Sequence, residues 1–141
     1  MLTQIKLLTI KEVTTYGVLA SVFTYAFGTF TGILEIFFIA MAIDWFTGIT
    51  ASIWERKSIK ALKSAKGFWG GMKKFFMILT VFFAHRIDLA FGIDWLMTGT
   101  LYFWIGNELI SIMENYARMN MKFPEPFRKW IDGLKGKVDG K

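Results

Sequence analysis

Cysteine is absent from the 141 residues, and histidine occurs once, at His85. The first absence excludes disulfides and thiolate metal sites, and a lone imidazole cannot assemble a metal cluster by itself. No grouping of nucleophile, base and orienting residue can be put together from what remains, so the chain reads as a non-enzyme with no catalytic, cofactor-binding or metal residues. Proline is confined to Pro124 and Pro126, which mark an exit from regular helix. The first apolar run is not followed by a small-residue cleavage site, so no cleavable signal peptide is expected. Internal repeats and low-complexity tracts are also missing.

Charge is missing as well, but only from particular stretches. Of seventeen Lys and Arg residues, all but Arg86 fall in three blocks: Lys6 and Lys11; Arg56, Lys57, Lys60, Lys63, Lys66, Lys73 and Lys74; and Arg118, Lys122, Arg128, Lys129, Lys135, Lys137 and Lys141. Between them the sequence is strongly apolar, and the whole chain is 54% hydrophobic and 18% aromatic, above the usual soluble domain. The net charge of +6 does not imply nucleic acid, because the basic residues flank apolar segments and form no continuous groove. Anionic lipid headgroups are the expected partner.

A membrane helix needs about 20 apolar residues. Val13 to Leu34 is free of charge and gives a first span ending near Thr31 and Gly32. Ile33 to Trp54 gives a second, with Glu35 at its start and Asp44 near its middle. The third runs from Phe68 to Arg86, with Lys73 and Lys74 snorkelling, or from Phe75 to Ile93; the fourth runs from Trp95 to Ile112. Cytoplasmic loops collect positive charge, which puts all three basic blocks on one side and an even number of crossings between them. The expectation is an all-α integral membrane protein with four transmembrane helices in two hairpins, three spans being the alternative. It is a single domain: 1–12 cytoplasmic, 13–117 the hairpins around a basic central loop at 55–74, and 118–141 a basic cytoplasmic tail. Phe127, Trp130, Ile131, Leu134 and Val138 recur at helical spacing in that tail and suggest a short interfacial helix, which Gly133 and Gly136 weaken; a solvated basic tail is the alternative.

Ionisable groups at mid-membrane are costly and face protein or water. Asp44 shares a helical face with Thr47, Gly48, Ala51, Ser52 and Glu55, small or polar side chains that admit another backbone. The first span carries a similar strip in Gly17, Ser21, Thr24, Gly28 and Thr31. In the fourth, Asn107, Ser111, Glu114 and Arg118 form one stripe, with Glu108 and Asn115 beside it. His85, Arg86 and Asp88 read as a satisfied structural cluster at the outer end, Ser64 as a helix N-cap, and Gly67, Gly70 and Gly71 as close packing. The candidate packing or pore residues are therefore Asp44, Gly48, Asn107, Glu108, Ser111, Glu114 and Asn115.

These motifs resemble phage holin family 4, the toxin secretion and phage lysis holins. The matching pieces are Asp44-Trp45-Phe46-Thr47-Gly48 with Ala51, then Ser64 with Gly67, Gly71, Lys73 and Lys74, then the run from Asn107 to Asn115, and finally Pro124. The resemblance implies a homo-oligomer in the host's cytoplasmic membrane that opens timed lesions, through which an endolysin or a toxin escapes. A non-pore membrane scaffold and a small ion or solute transporter are the competing readings.

Overall fold

A computed structural model describes residues 2–56 and 64–138, without side chains at 2–8, 56, 64–66 and 134–138. Five helices occur and no strand among the described residues: α1 (Leu2–Phe27), α2 (Gly32–Arg56), α3 (Ser64–Phe91), α4 (Leu96–Arg118) and α5 (Glu125–Val138). The all-α expectation holds. Among the described residues one stretch, Gly32–Glu55 of α2, is long and apolar enough to cross a membrane by length and composition alone; four spans are not established by this test. Lys57, Lys60 and Lys63 of the central basic block lie outside the described residues, as do the side chains of Ser64 and Lys66.

Both short connections come where glycine permits them. Gly28 ends α1 with φ +71° and Gly92 ends α3 with φ +65°, left-handed conformations that favour a residue without Cβ. Thr31 then caps α2 by accepting a hydrogen bond from the Leu34 backbone N–H at 3.4 Å. At the second turn the cap comes from the preceding helix: the Asp88 carboxylate accepts from the backbone N–H groups of Leu96 (3.1 Å) and Met97 (2.8 Å). A negative charge at the start of α4 also complements the helix dipole.

Helix α4 ends without proline. Asn120 takes φ +57°, Met121 N–H donates to the Tyr116 carbonyl at 2.9 Å and Asn120 N–H to that of Ala117 at 3.0 Å, the paired bonds of a Schellman stop. Pro126 lies in the first turn of α5, where no N–H is needed, and the Pro124 carbonyl accepts from Phe127 N–H at 3.1 Å. The prolines therefore start α5 rather than finish α4.

The core is a three-helix seam. Lys74, Met77, Val81, Ala84 and Asp88 on α3, and Leu101, Ile105, Glu108, Ile112 and Asn115 on α4 with Met119 just past its end, follow spacings of three and four, the period with which helices interlock side by side. Leu34, Phe37 and Met41 of α2 complete an apolar cluster with Met77, Val81, Leu101 and Ile105. Helix α1 lies outside this seam. Phe23 and Phe27 meet Phe38 of α2, and the Arg86 guanidinium of α3 sits 4.5 Å from the Tyr25 ring centre, a cation–π contact. Large apolar side chains such as Leu19, Val22, Phe75, Phe76 and Phe103 point outward and exposed, a surface that water would penalise and hydrocarbon would not.

Candidate functional site

One turn beyond the apolar cluster the seam becomes ionic. Lys74 on α3 extends between α2 and α4, and its ammonium donates to Asp44 Oδ2 at 2.9 Å and to Glu108 Oε2 at 2.5 Å. All three are interior: the side chains of Lys74, Asp44 and Glu108 are 16%, 14% and 0% exposed. The half-exposed Lys73 ammonium stands 3.9 Å from Glu108 Oε1. Two ammonium groups thus face two carboxylates, and the cluster closes with no net charge. That balance matters because an unpaired ion in low dielectric is far costlier than a compensated one.

A polar ladder runs from the cluster towards the helix ends. Asn115 Nδ2 donates to Asp44 Oδ1 (3.2 Å) and lies 3.1 Å from Thr47 Oγ1, while its Oδ1 accepts from Arg118 at 3.1 Å. A Cβ built on Gly48 would sit 3.5 Å from Asn115 Nδ2, so glycine there leaves just enough room for the amide. Arg118 closes the ladder on α2 by donating to both Glu55 oxygens, at 2.9 and 2.7 Å. Hydrogen bonding to Glu55 raises the guanidinium's hold on its proton above an already very high ordinary value.

The structure thus gathers Asp44, Gly48, Glu108 and Asn115 into one place, together with Thr47, Ala51, Ser52 and Glu55 of the α2 face. Asn107, Ser111 and Glu114 lie one residue off the buried seam: Glu114 is exposed, and Asn107 and Ser111 are half-buried on its flank. Three buried polar atoms, Trp104 Nε1, Asn107 Nδ2 and Glu108 Oε1, meet no hydrogen-bond partner among the described residues. A third span from Phe68 to Arg86 would have Lys73 and Lys74 snorkelling, whereas Lys74 turns inward. Its signal was the spacing from Lys74 through Met77 and Val81 to Asp88, which places it on the seam. Of the strip on α1 only its end, Gly28, meets a neighbour, the His85 ring; Gly17, Ser21 and Thr24 are exposed among the described residues. Gly67, Gly70 and Gly71 likewise face open space among the described residues, and no close packing is seen at them there. No group of three or more His, Cys, Asp or Glu that could hold a metal occurs among the described residues.

A family model described as the bacteriophage holin family matches residues 21–136. An uncharacterized protein of Listeria monocytogenes is 34% identical over 119 residues, 82% of each chain, and one of Halalkalibacterium halodurans is 34% identical over 85% of this chain and 90% of its own. A protein of Bacillus phage phi105 named a probable holin is 32% identical over 92 residues, 64% of this chain and 65% of that one. No solved structure matches significantly.

Proposed function

The chain belongs to the bacteriophage holin family, and on that premise we propose that it homo-oligomerises in the bacterial cytoplasmic membrane and opens timed lesions. An endolysin, or a toxin, then leaves the cytoplasm through them without needing to bind the chain. In this reading α1 to α4 cross as two hairpins, with both termini and the central basic block in the cytoplasm, as an even number of crossings between basic blocks on one side requires.

The observation that carries the reading is Glu108, wholly buried between Lys74, Asp44 and the more distant Lys73 at the centre of three packed helices, with one oxygen that accepts no hydrogen bond among the described residues. An interior built only for stability has no need of it, since apolar replacements of buried ion clusters are often neutral or better. A protein that must live first in lipid and then around water has use for such a cluster. Dispersed protomers keep it between α2, α3 and α4 and show lipid their aromatic and aliphatic surface. When protomers assemble, the helices part, the four ionic groups line water, and the neutral cluster becomes a hydrated wall. The lysines on α3 and the carboxylates on α2 and α4 carry opposite charge on different helices. Their separation is therefore sensitive to membrane potential, by about 2.3 kcal/mol per 100 mV for a full charge moved across.

Induced expression should collapse the membrane potential abruptly after a delay, and a cytoplasmic endolysin supplied alongside should then lyse the cells. Steady growth at high membrane abundance would instead mark the chain as a non-pore membrane protein.

A further inference from the structure

Helix α5 turns back on the bundle. The rings of Tyr116, Phe123 and Phe127 follow one another at centroid distances of 5.1 and 5.6 Å, which carries the chain from the end of α4 back along its side. Phe127 and Trp130 then share the walls of an apolar groove with Ile36 and Ala40 of α2 and Ile105 and Leu109 of α4, and Ile131 beside them is 1% exposed. Ile105 and Leu109 stand about 20 and 14 Å along α4 from Arg118, at about 1.5 Å per residue, so α5 lies beside the middle of α4. The opposite side of α5 is charged. Arg128, Lys129 and Asp132 are exposed, and helical spacing turns them away from Phe127, Trp130 and Ile131.

This seat and a bilayer compete for the same face. Helix α2 is long and apolar enough to cross, and where α2 and α4 cross, the docked α5 holds Arg128, Lys129 and Asp132 outward at mid-membrane depth. Ionisable groups at that depth are costly unless protein or water meets them. The seat offers little against that cost. A space of about 470 Å³ remains between α5 and the two helices, and lipid tails cover Ile36 and Leu109 as well as the side chains of another helix do. A helix with aromatic residues on one face and basic residues on the other meets both of its preferred surroundings at the headgroup boundary.

We propose that α5 is a detachable cover of the α2–α4 face: it holds the groove while that face is out of lipid, and in a bilayer its charged side draws it off to the headgroup boundary, which bares Ile36, Ala40, Ile105 and Leu109. The inference rests on the reading that α2 and α4 cross the membrane. It requires no lesion, and its test needs no lysis.

The test uses the full chain, which has no cysteine of its own, in phosphatidylcholine vesicles at high lipid excess. A bimane probe on Ile36→Cys is quenched by tryptophan at contact range, and comparison with Trp130→Phe isolates Trp130 from the other five of six tryptophans. With the charges of α5 intact, Trp130→Phe should leave the emission unchanged, because α5 has left the groove. With Arg128→Leu, Lys129→Leu and Asp132→Leu together, α5 should keep its seat, so the emission should fall severalfold and Trp130→Phe should restore it. Arg128→Gln, Lys129→Gln and Asp132→Asn together, a milder change, should give intermediate quenching, with helix content checked for each variant. Quenching by Trp130 in the chain with its charges intact would show α5 docked in lipid and would overturn the proposal. Neutral variants that stay as bright as the charged chain, with their helix content kept, would overturn it equally, since charge would not be what removes α5. A bimane on Ile43→Cys, at an exposed position of α2, distinguishes failure of the crossing itself. Its emission should be that of an apolar medium in every chain, and emission of a water-exposed probe would remove the crossing and the proposal with it.

Discussion

Lys74 holds the interior charge balance by reaching two carboxylates on two different helices. Its neutralisation in Lys74→Met would leave Asp44 and Glu108 interior with only the more distant Lys73, and removing one partner of a buried pair costs about 3–5 kcal/mol. The expected outcome is a large fall in the thermal stability of the detergent-purified protein. Adding Asp44→Asn and Glu108→Gln to Lys74→Met should recover most of it, because no uncompensated charge then remains. Glu108→Leu should keep the chain inserted yet shift the triggering time, since an interior acceptor for Lys74 is lost; Glu108→Gln, which keeps a hydrogen-bond acceptor, should shift it less. Wild-type stability in Lys74→Met would show that the ammonium is not the counter-charge. Asp44 and Glu108 were legible as sequence because a carboxylate in an apolar run stands out. Lys74 was not, since it closes a basic block and long cationic side chains at a membrane boundary usually reach outward. The same ambiguity displaced the α4 stripe by one residue: Asn107 and Glu108 are both polar, and only the packing of Leu101, Ile105 and Ile112 decides which faces inward.

At the scale of the elements, the helices are fixed by their ends as much as by their faces. Gly28 and Gly92 share the left-handed conformation, but only at Gly28 would a Cβ also meet a neighbour, the His85 ring at 3.0 Å. Both alanine variants should therefore lose about 1–2 kcal/mol for the backbone, and Gly28→Ala should lose more because the imidazole must move. Unfolding in mixed micelles would measure the difference; equal losses would mean that His85 yields freely. Asp88→Ala removes the acceptor of two N–H groups at the start of α4 and should cost about 1–2 kcal/mol. The turns were legible because glycine and short polar residues interrupt long apolar runs. The start of α5 was read differently, since Pro126 has opposite meanings inside a helix and in its first turn, and only the folded backbone distinguishes them.

At the scale of the whole molecule, the proposed lesion makes a demand that can be read from a single atom. The ionic cluster is hidden within the protomer and must meet water once protomers assemble, so a reporter placed there has to change its accessibility at the moment of triggering. The chain has no cysteine of its own, which makes the experiment clean. Thr47→Cys puts a thiol at a position 8% exposed, beside Asn115 and one turn from Asp44, with little change in volume. Before triggering it should resist a water-soluble thiol reagent, because a thiolate is the reactive form and neither it nor the reagent is stable in that interior. After the potential collapses it should be modified within the time that the lesion takes to open. Cysteines at Asp94 and at Lys137 set the frame: the first should react in intact cells throughout and the second only after triggering, as two hairpins with cytoplasmic ends require. A Lys6→Cys thiol that reacts before triggering would replace four spans with three. If Thr47→Cys stays protected after lysis while the frame cysteines behave as stated, the seam of α2, α3 and α4 remains closed in the assembly. The lesion wall must then come from another face, with the small and hydroxyl side chains of α1, Gly17, Ser21 and Thr24, already outward and unpacked within the protomer.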